Sequence, residues 1–567
     1  MNSETKNCQN CKKDFTIESD DFLFYEKVKV PPPTFCPECR LKRRLIWRNE
    51  RTLYKRTCDL CGVNLLSIFH QDSPYVIYCP SCWWSDKWNA SAYATKYDPS
   101  KNFFEQYSEL FIKVPRMALY NTNCVNADYC NYVIGNKNLY YSFSSHYNED
   151  SGYLQYSNKC RNAYDCLHVV SGNNVIGCNY SDRIYNCAYL TYAFDCTDCF
   201  FGHDLHNCTN CIGCVNLRNA SYQIFNKQYN KDEYQKLKNE IFRTNISFKK
   251  VQTEFEILRK NLPIPESYQN KCIDSTGNDL SETKNLKYAF CSKKSEDSKY
   301  LFINSHNVRN SMDINNVTPE ITENLYEIQG GSESSNMKFS QACWNGSTYC
   351  TYCDSCFGAH NLFGCVGIKK AEYCILNYQY TKEEYEALLP EIISHMNDTP
   401  YVDKKGIIYR YGEFFPSEMS PFSYNESIVI QYFPLKKNEV LAQGFTWRDR
   451  EQTNHIPTFD HANEYILSNI DESLAQEVFS CLHATDCSHQ CPGAFKMTKE
   501  ELSVYKRIGL PLPDLCPNCR HYGRLMDRGG FNLSSLNCRN CKKTIQTVFD
   551  PEVNIIYCKE CFTKEVV

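Results

Sequence analysis

The sequence lacks long hydrophobic runs and a strong net charge. Nowhere do about 18 consecutive apolar residues occur, as a membrane-spanning helix requires, and the N-terminal MNSETKNCQNCKK holds no apolar segment of a signal peptide. The net charge is −4, so the chain is not a polycation, and contact with nucleic acid would require local basic patches. We therefore expect a soluble, cytoplasmic protein without a membrane partner.

The sequence also lacks the motifs of common active sites. Its 13 histidines are spread along the chain and form no HExxH zinc-activation motif. Paired catalytic carboxylates, a nucleophile elbow and a glycine-rich phosphate loop are not apparent either. We predict a protein that is not an enzyme.

Cysteine, by contrast, is abundant. Most of the 36 cysteines fall in short CxxC pairs, which in a reducing cytosol indicates metal binding rather than disulfides. The intervals between successive pairs are 24, 18 and 17 residues near the start of the chain and 24, 18 and 16 near its end. The first set is Cys8/Cys11, Cys36/Cys39, Cys58/Cys61 and Cys79/Cys82; the last is Cys487/Cys491, Cys516/Cys519, Cys538/Cys541 and Cys558/Cys561.

Each pair of CxxC turns can complete one tetrahedral zinc site. Four thiolate ligands leave no open coordination position, so we expect structural zinc, with about four ions per chain. Sequential pairing, first turn with second and third with fourth, is favoured over a cross-braced arrangement, which the spacing does not exclude. The Cys487/Cys491 turn is one residue wider than the others, so Cys481, His483 or His489 could substitute as a ligand.

The two ends of the chain are copies of one module. At a constant shift of 480 positions, Phe15 matches Phe495 and Tyr25 matches Tyr505, and three arginines match as well. The arginine pairs are Arg40/Arg520, Arg44/Arg524 and Arg48/Arg528. We assign residues 1–92 to an N-terminal and residues 481–567 to a C-terminal double zinc-ribbon module.

The first half of each module carries a recognisable pattern. It reads CQNCKKDF, FLFYEKVKVPPP and CPECRLKRR in one copy, and CPGAF, LSVYKRIGLPLP and CPNCRHYGR in the other. This resembles the "probable zinc-ribbon" family, over about a quarter of the chain, and implies a module rather than an activity. The overall layout, with segments such as CIGCVNLRNASYQIFNKQY, resembles cysteine-rich zinc-ribbon proteins of uncultivated small-genome bacteria, for which no function is assigned.

The middle of the chain contains a second repetition. Short β-rich patches such as NLYYSF and CAYLTY recur every 9 to 15 residues between Asn, Gly, Asp and Ser. A short period of one strand and one turn predicts a β-solenoid (β-helix-like) core, with an antiparallel meander as the alternative. The fold class is therefore mixed and mainly β: tandem ribbons at both ends flank a duplicated, cysteine-rich core.

The core region divides into repeats joined by helices. Residues 214–234 match residues 365–385, and both copies end in a capping box, Asn230 with Glu233 and Thr381 with Glu384. The segments predicted are a first repeat region at 118–228, a helical connector at 229–265 and a second repeat region with its closing helix at 286–397. A proline- and aromatic-rich arm follows at 398–480, with a short helix that stops at Gly444.

The cysteines of the repeat regions allow two interpretations. Cys196, Cys199, Cys208, Cys211 and Cys214, with a partial counterpart at 350–365, could bind further zinc or an iron–sulfur cluster. They could instead face inward as small buried side chains, which we favour because the ligand spacing of bacterial ferredoxins is incomplete.

A basic run follows the second cysteine pair. Between positions 40 and 56 the chain has eight cationic side chains and one anionic, with aromatic residues among them. This composition suits RNA or DNA, although the same cations could simply balance the charge of a four-thiolate zinc site. The candidate contacts are Arg40, Arg43, Arg44, Trp47, Arg48 and Arg51, with Arg520, Arg524 and Arg528 in the second copy. Trp83, Trp84 and Trp88 are expected to pack the ribbon against the next domain.

Together these features predict a non-enzymatic, zinc-binding scaffold whose terminal ribbons bind nucleic acid or a nucleoprotein. Two alternatives stay open. One is a protein-docking scaffold that binds no nucleic acid. The other is a metal- or redox-handling protein that uses the cysteines of the repeat regions.

Overall fold

The computed structural model describes residues 2–317, 320–449, 455–461, 463–483 and 489–566. The described residues contain more strand than helix, as the mixed, mainly β prediction requires. They form two compact units, each assembled from two distant parts of the chain. Unit 1 comprises residues 1–119 and 268–448, and unit 2 comprises residues 120–267 and 449–567. Each unit therefore combines one ribbon module with the repeat region that is not next to it in sequence.

Unit 1 begins with residues 1–119, which comprise the N-terminal module and the segment that follows it. Its strands are Glu4–Asn7, Asp14–Ile17, Tyr54–Thr57, Asn64–Ser67, Ile77–Tyr78 and Arg116–Met117, and its helices are Ser19–Val28, Pro37–Leu45, Pro80–Trp83, Ala90–Tyr93 (3-10) and Phe103–Lys113. In each ribbon the first CxxC turn connects an antiparallel hairpin, and the second turn begins a helix.

The rest of unit 1 holds the second repeat region and part of the arm. The strands are Gln269–Asn270, Gly277–Ser281, Lys284–Lys293, Glu296–Phe302, Ser305–His306, Val308–Arg309, Met312–Val317, Thr322–Glu323, Tyr326–Gly331, Lys338–Cys343, Thr348–Thr351, His360–Phe363, Glu372–Ile375, Tyr378–Gln379, Tyr401–Val402 and Ile408–Tyr409. The helices are Lys382–Asp398, Ser417–Met419 (3-10), Val429–Tyr432 and Lys437–Ala442. The last of these ends just before Gly444, as predicted.

Unit 2 contains the first repeat region, the connector and the C-terminal module. Its strands are Asn121–Thr122, Val125–Asp128, Val133–Ile134, Lys137–Tyr140, Glu149–Gly152, Arg161–Tyr164, Leu167–Ile176, Asn179–His206, Thr209–Arg218, Ser221–Ile224, Lys227–Gln228, Pro263–Pro265, Phe479–Ser480, Ala494–Phe495, Ser534–Asn537, Thr544–Thr547 and Ile555–Tyr557. Its helices are Lys231–Ile241, Asn245–Asn261, Leu467–Asn469 (3-10), Glu472–Gln476 (3-10), Lys499–Ile508, Pro517–Met526 and Lys559–Val566. The capping boxes predicted at Asn230 and Thr381 are both formed.

Strands within each repeat region pair in parallel with the segment about one repeat later. In the first region the register is twelve residues, so that Cys199 lies opposite Cys211. In the second it lengthens locally to thirteen, as at Lys299 and Met312, and to fourteen, as at Met312 and Tyr326. Antiparallel pairing closes each region only at its last hairpin among the described strands. The antiparallel meander considered from the sequence is therefore not what these regions form.

A three-residue backbone period underlies this register. Residues in the left-handed conformation recur at every third position, for example Asp195, Asp198 and Phe201 with φ of 51° to 55°. The residues that follow Asp195 and Asp198, namely Cys196 and Cys199, are directed into the interior and are fully buried. Left-handed backbone is tolerated best by Asn and Asp, and their side chains stack between repeats: Asn126 donates to Asn138 (3.0 Å), and Asn138 donates to Asp150 (2.8 Å).

The arm predicted at 398–480 is divided between the two units at residue 448. Its first part packs against the N-terminal module, where the Phe415 ring lies 4.9 Å from that of Trp47 and 4.8 Å from that of Tyr107. Its second part contacts the connector, through Tyr465 and Asn245, in unit 2. Among the described residues, no helix is both long and apolar enough to cross a lipid bilayer.

Candidate metal centres

Four groups of four cysteines bring their sulfur atoms together. Within each group all four Sγ atoms lie within 4.8 Å of one another. The groups are Cys8/Cys11/Cys36/Cys39, Cys58/Cys61/Cys79/Cys82, Cys481/Cys491/Cys516/Cys519 and Cys538/Cys541/Cys558/Cys561. The predicted sequential pairing of the cysteine turns is therefore confirmed, and we refer to these groups as tetrads 1 to 4.

The spacing of the sulfur atoms fits a tetrahedral metal ion. Metal–sulfur bonds of about 2.3 Å at tetrahedral angles place neighbouring sulfurs about 3.8 Å apart. The Sγ–Sγ distance is 3.7 Å for Cys11 and Cys36 and 3.7 Å for Cys541 and Cys558. It is 3.8 Å for Cys491 and Cys516 and 4.0 Å for Cys61 and Cys79. The four tetrads therefore have both the donor set and the dimensions of a four-thiolate metal site.

Local backbone structure positions the sulfurs in the same way in each tetrad. In tetrads 1, 2 and 4 the residue directly after the first cysteine turn, Lys12, Gly62 or Lys542, is left-handed, so that the chain folds back into the hairpin; in tetrad 3 the left-handed residue is Gly493, two positions after Cys491. The second turn begins a helix, and the amide of its first cysteine donates to the first sulfur of the tetrad. This N–H···Sγ distance is 3.2 Å in all four: Cys36 to Cys8, Cys79 to Cys58, Cys516 to Cys481 and Cys558 to Cys538.

These amide donors favour the thiolate form that a metal requires. Burial opposes ionisation of Cys58, but the amides of Cys79, Cys61 and Leu60 outweigh it and lower the pKa of the Cys58 thiol to about 7. At Cys538 the same balance lowers the pKa to about 6. Sulfurs with lowered pKa bind metal with less competition from protons near neutral pH.

Tetrad 3 is completed by Cys481, which the sequence indicates only as a possible substitute ligand. Cys487, predicted as a ligand, lies outside the described residues. Cys481 accepts the amide of Cys516 just as Cys8 accepts that of Cys36, so it occupies the equivalent position. The interval between Cys481 and Cys491 is longer than an ordinary CxxC turn, so the spacing of the sequence alone does not single out Cys481 as the ligand.

Replacement of Cys481 provides a direct test of this assignment. Cys481→Ser is expected to remove about one metal ion per chain, because a serine hydroxyl is not a zinc-type ligand. Cys487→Ser is the matched control and is expected to leave the metal content unchanged, because tetrad 3 is complete without Cys487. Plasma mass spectrometry of the purified chains measures both. A loss of metal from Cys487→Ser and not from Cys481→Ser would reverse the assignment.

The arginines next to the cysteines of tetrad 1 are buried against carboxylates of the second repeat region and of the arm. Asp313 accepts from Arg40 Nε at 2.9 Å and from Arg44 Nη1 at 3.1 Å. Arg43 pairs with Glu327 and with Glu413, each at 2.7 Å. All of these side chains are almost fully buried, and we call this group the Asp313 cluster.

The C-terminal module repeats this arrangement on the first repeat region. Asp165 lies 2.9 Å from Arg520 Nη1 and 3.2 Å from Arg524 Nη2, and Glu501 lies 3.3 Å from Arg520. Asp165 and Asp313 are both left-handed residues, with φ of 55° and 60°, each followed by a buried inward side chain. We call this group the Asp165 cluster. The two units therefore share one mode of packing between ribbon and repeat region.

The predicted nucleic-acid contacts need correction in this light. Arg48 pairs with Glu50 at 2.7 Å, the Arg528 guanidinium lies over the Phe531 ring, and Trp47 is buried against the arm. Of the nine candidates, Arg40, Arg43, Arg44, Trp47, Arg48, Arg524 and Arg528 are buried, and Arg51 and Arg520 are half-buried. Most of the buried cations face carboxylates of the same chain rather than solvent, so they do not form a surface for phosphates. Except for Glu50, which is next but one to Arg48, these carboxylates are hundreds of positions away in sequence, so the local excess of positive charge does not reveal the pairing.

The cysteines of the repeat regions form part of the interior. The Cys199 thiol lies 3.3 Å from the carbonyl oxygen of Thr197 and 3.5 Å from that of Cys208, to which a protonated thiol donates. Burial raises the pKa of the Cys160 thiol to about 12. Within the part of the chain that the structure describes, none of these cysteines belongs to a group of metal-ligating atoms. The geometry supports the packing interpretation.

The three tryptophans pack the ribbon against a repeat region, but it is the second one and not the next one along the chain, which the sequence order had suggested. The ammonium of Lys369 lies 4.2 Å from the ring of Trp83 and 4.7 Å from that of Trp88. Phe357 meets Trp83 and Trp84 edge to face, at 5.3 Å and 4.9 Å. The tryptophans thus surround a lysine of the same unit.

Comparisons with known proteins add little to this picture. No protein-family model matches the chain, and no curated protein matches it. One solved structure that matches is a candidate acetyltransferase from Desulfovibrio desulfuricans, 10% identical, over 47% of this chain and 69% of that one, with a TM-score of 0.11. A TM-score this low carries no argument about fold or activity.

Proposed function

We propose that this protein is a non-enzymatic, zinc-dependent scaffold in which each ribbon module holds a repeat region in place. One observation carries the proposal: the metal ligands and the arginines that contact the repeat region lie on the same helix. In unit 1 the Pro37–Leu45 helix begins at Cys36, includes Cys39 and carries Arg40 and Arg44. The Pro517–Met526 helix is its counterpart in unit 2.

Metal binding would orient these helices before the arginines can pair. A ribbon of this size has little core of its own, and structural zinc sites of this kind supply most of the folding free energy of such small domains. Once the helix is fixed, its arginines meet a carboxylate that is already rigid within the repeat region. Two guanidinium groups converge on one carboxylate only if both helix and strand are ordered, so metal content would control this contact.

Zinc is the metal that the donor set supports best. Four thiolates in a tetrahedron suit zinc, and no coordination position is left for water, which is typical of structural rather than catalytic sites. The tetrads then hold about four zinc ions per chain, consistent with the resemblance to zinc ribbons. The described cysteines are all free thiols, which fits a reducing compartment such as the cytoplasm.

The repeat regions provide the rigid part of this scaffold. Parallel pairing at a register of about twelve residues, with one inward side chain after each left-handed residue, supports a β-solenoid for each region. We propose that the partner is a protein, because the cations suited to phosphates are occupied within the chain.

Metal removal followed by hydrogen exchange tests the proposal. The full-length chain is compared with and without zinc, the metal being stripped by a chelator under reducing conditions. Loss of zinc is expected to reduce amide protection in the ribbons and also in Met312–Val317 and Leu167–Ile176, the strands against which the metal-bearing helices pack. Glu372–Ile375, which packs on the Lys382–Asp398 helix instead, is the internal control. Ribbons that lose protection while both contacted strands keep theirs would contradict the proposal.

A further inference from the structure

We infer that a second metal ion binds beside tetrad 3, held by His483, His489 and the thiolate of Cys519. This rests on the proposed function, because Cys519 would bridge this ion and the zinc of the tetrad. Ligand atoms of the three residues all lie within 4.8 Å of one another. Among the described residues, tetrads 1, 2 and 4 have no such neighbouring group.

The contacts of the two histidines point to a shared ligand. His483 Nδ1 lies 3.4 Å from Cys519 Sγ. The two imidazole rings face each other with centroids 4.6 Å apart and planes at 17°. His489 Nδ1 is buried and has no hydrogen-bond partner in the described part of the chain, which is costly unless the nitrogen binds something else.

The surrounding structure holds this group in place. The His489 ring stacks on that of Tyr522, with centroids 5.0 Å apart and planes at 2°. Tyr522 is one turn beyond Cys519 on the Pro517–Met526 helix, so the helix that supplies the bridging sulfur also supplies the ring that orients a histidine. The site is therefore built on the same element as tetrad 3.

Charge and donor type indicate the class of metal. A divalent ion with four thiolates has a net charge of about −2, and a second divalent ion bound by neutral imidazoles would bring the pair to about zero. Imidazole and thiolate together suit zinc and related divalent ions. Three protein ligands leave one position for water or another exchangeable ligand, unlike the closed tetrads.

Metal stoichiometry of the full-length chain tests the inference. The protein is loaded with zinc under reducing conditions, dialysed against metal-free buffer and analysed by plasma and native mass spectrometry. Wild type is expected to bind about five zinc ions, and His483→Ala/His489→Ala about four. His455→Ala, at an exposed histidine outside this group, is the control and is expected to bind as many as wild type. X-ray absorption at the zinc edge should show a nitrogen contribution in wild type that the double variant loses.

Other outcomes separate this inference from the proposed function. About four ions in wild type without nitrogen scattering would overturn the second ion and leave the four tetrads in place. About four ions with nitrogen scattering that the double variant loses would mean that a histidine replaces a thiolate in tetrad 3, which also overturns a separate ion. Fewer than about four ions in wild type, with no nitrogen contribution, would overturn both the inference and the proposed function.

Discussion

Asp313→Ala is expected to lower the free energy of unfolding by about 3–5 kcal/mol, the cost of leaving buried charges without their partner. Asp313 has no solvent exposure and accepts hydrogen bonds from both Arg40 and Arg44, so its removal leaves Arg40 without this carboxylate and Arg44 with only the more distant Glu327, at 3.5 Å, in the interior of unit 1. The metal content is expected to stay unchanged, because no ligand of tetrad 1 is altered. Urea unfolding of the zinc-loaded chain measures the loss.

Asp297→Ala is a matched control for this experiment. Asp297 is also a left-handed residue of the second repeat region, so alanine introduces the same backbone strain there, but its side chain is exposed. It accepts one hydrogen bond, from Asn285 at 2.8 Å, which is worth about 1 kcal/mol. Equal losses in the two variants would mean that the arginine contacts contribute nothing beyond backbone strain.

Cys39→Ser is expected to have the largest effect among single ligand changes in the N-terminal module. Structural zinc contributes on the order of 10 kcal/mol to the folding of a small ribbon, and loss of tetrad 1 also releases the helix that carries Arg40 and Arg44. The variant should bind about one zinc ion fewer and should lose amide protection in Met312–Val317. Plasma mass spectrometry and hydrogen exchange measure the two effects.

Cys61→Ser separates metal loss from release of the arginines. It should also bind about one zinc ion fewer, because it removes a ligand of tetrad 2. The Pro80–Trp83 helix of that tetrad carries none of the arginines of the Asp313 cluster, so protection in Met312–Val317 should be retained. If Cys61→Ser exposes that strand as much as Cys39→Ser does, metal binding and arginine pairing are not coupled through the Pro37–Leu45 helix.

The two-unit organisation could not be predicted from the order of segments along the chain. The sequence places the N-terminal module directly before the first repeat region, and neighbours in sequence are usually neighbours in space. The structure instead pairs that module with the second repeat region. Arg40 and Arg44 pair with a carboxylate at position 313, about 270 positions later in the chain. The contact therefore requires these two distant segments to come together during folding.

The register of the strands in the repeat regions could not be predicted from the sequence either. The turn-forming residues predict a short repeat in which the spacing of the patches varies between 9 and 15 residues. The three-residue backbone period explains this variation in spacing. Cys, Ser, Ala and Leu all occur at the inward positions, because each of them fits the narrow interior, so no single residue type marks the start of each repeat. Such a pattern has neither the alternation of an ordinary strand nor the period of a helix, and it becomes visible only once the register is known.

For the metal centres, the sequence by itself determined the number of tetrads and favoured their sequential pairing, because a CxxC turn is a local structure that needs few other residues. Tertiary structure decided two matters. It completed tetrad 3 with Cys481, because folding brings Cys481 beside Cys516 although no short cysteine turn contains it, and it placed the arginines in the interior, because their carboxylate partners come from distant parts of the chain. Local geometry can be deduced from spacing, whereas the partner of a charge depends on which surfaces the folded chain brings together.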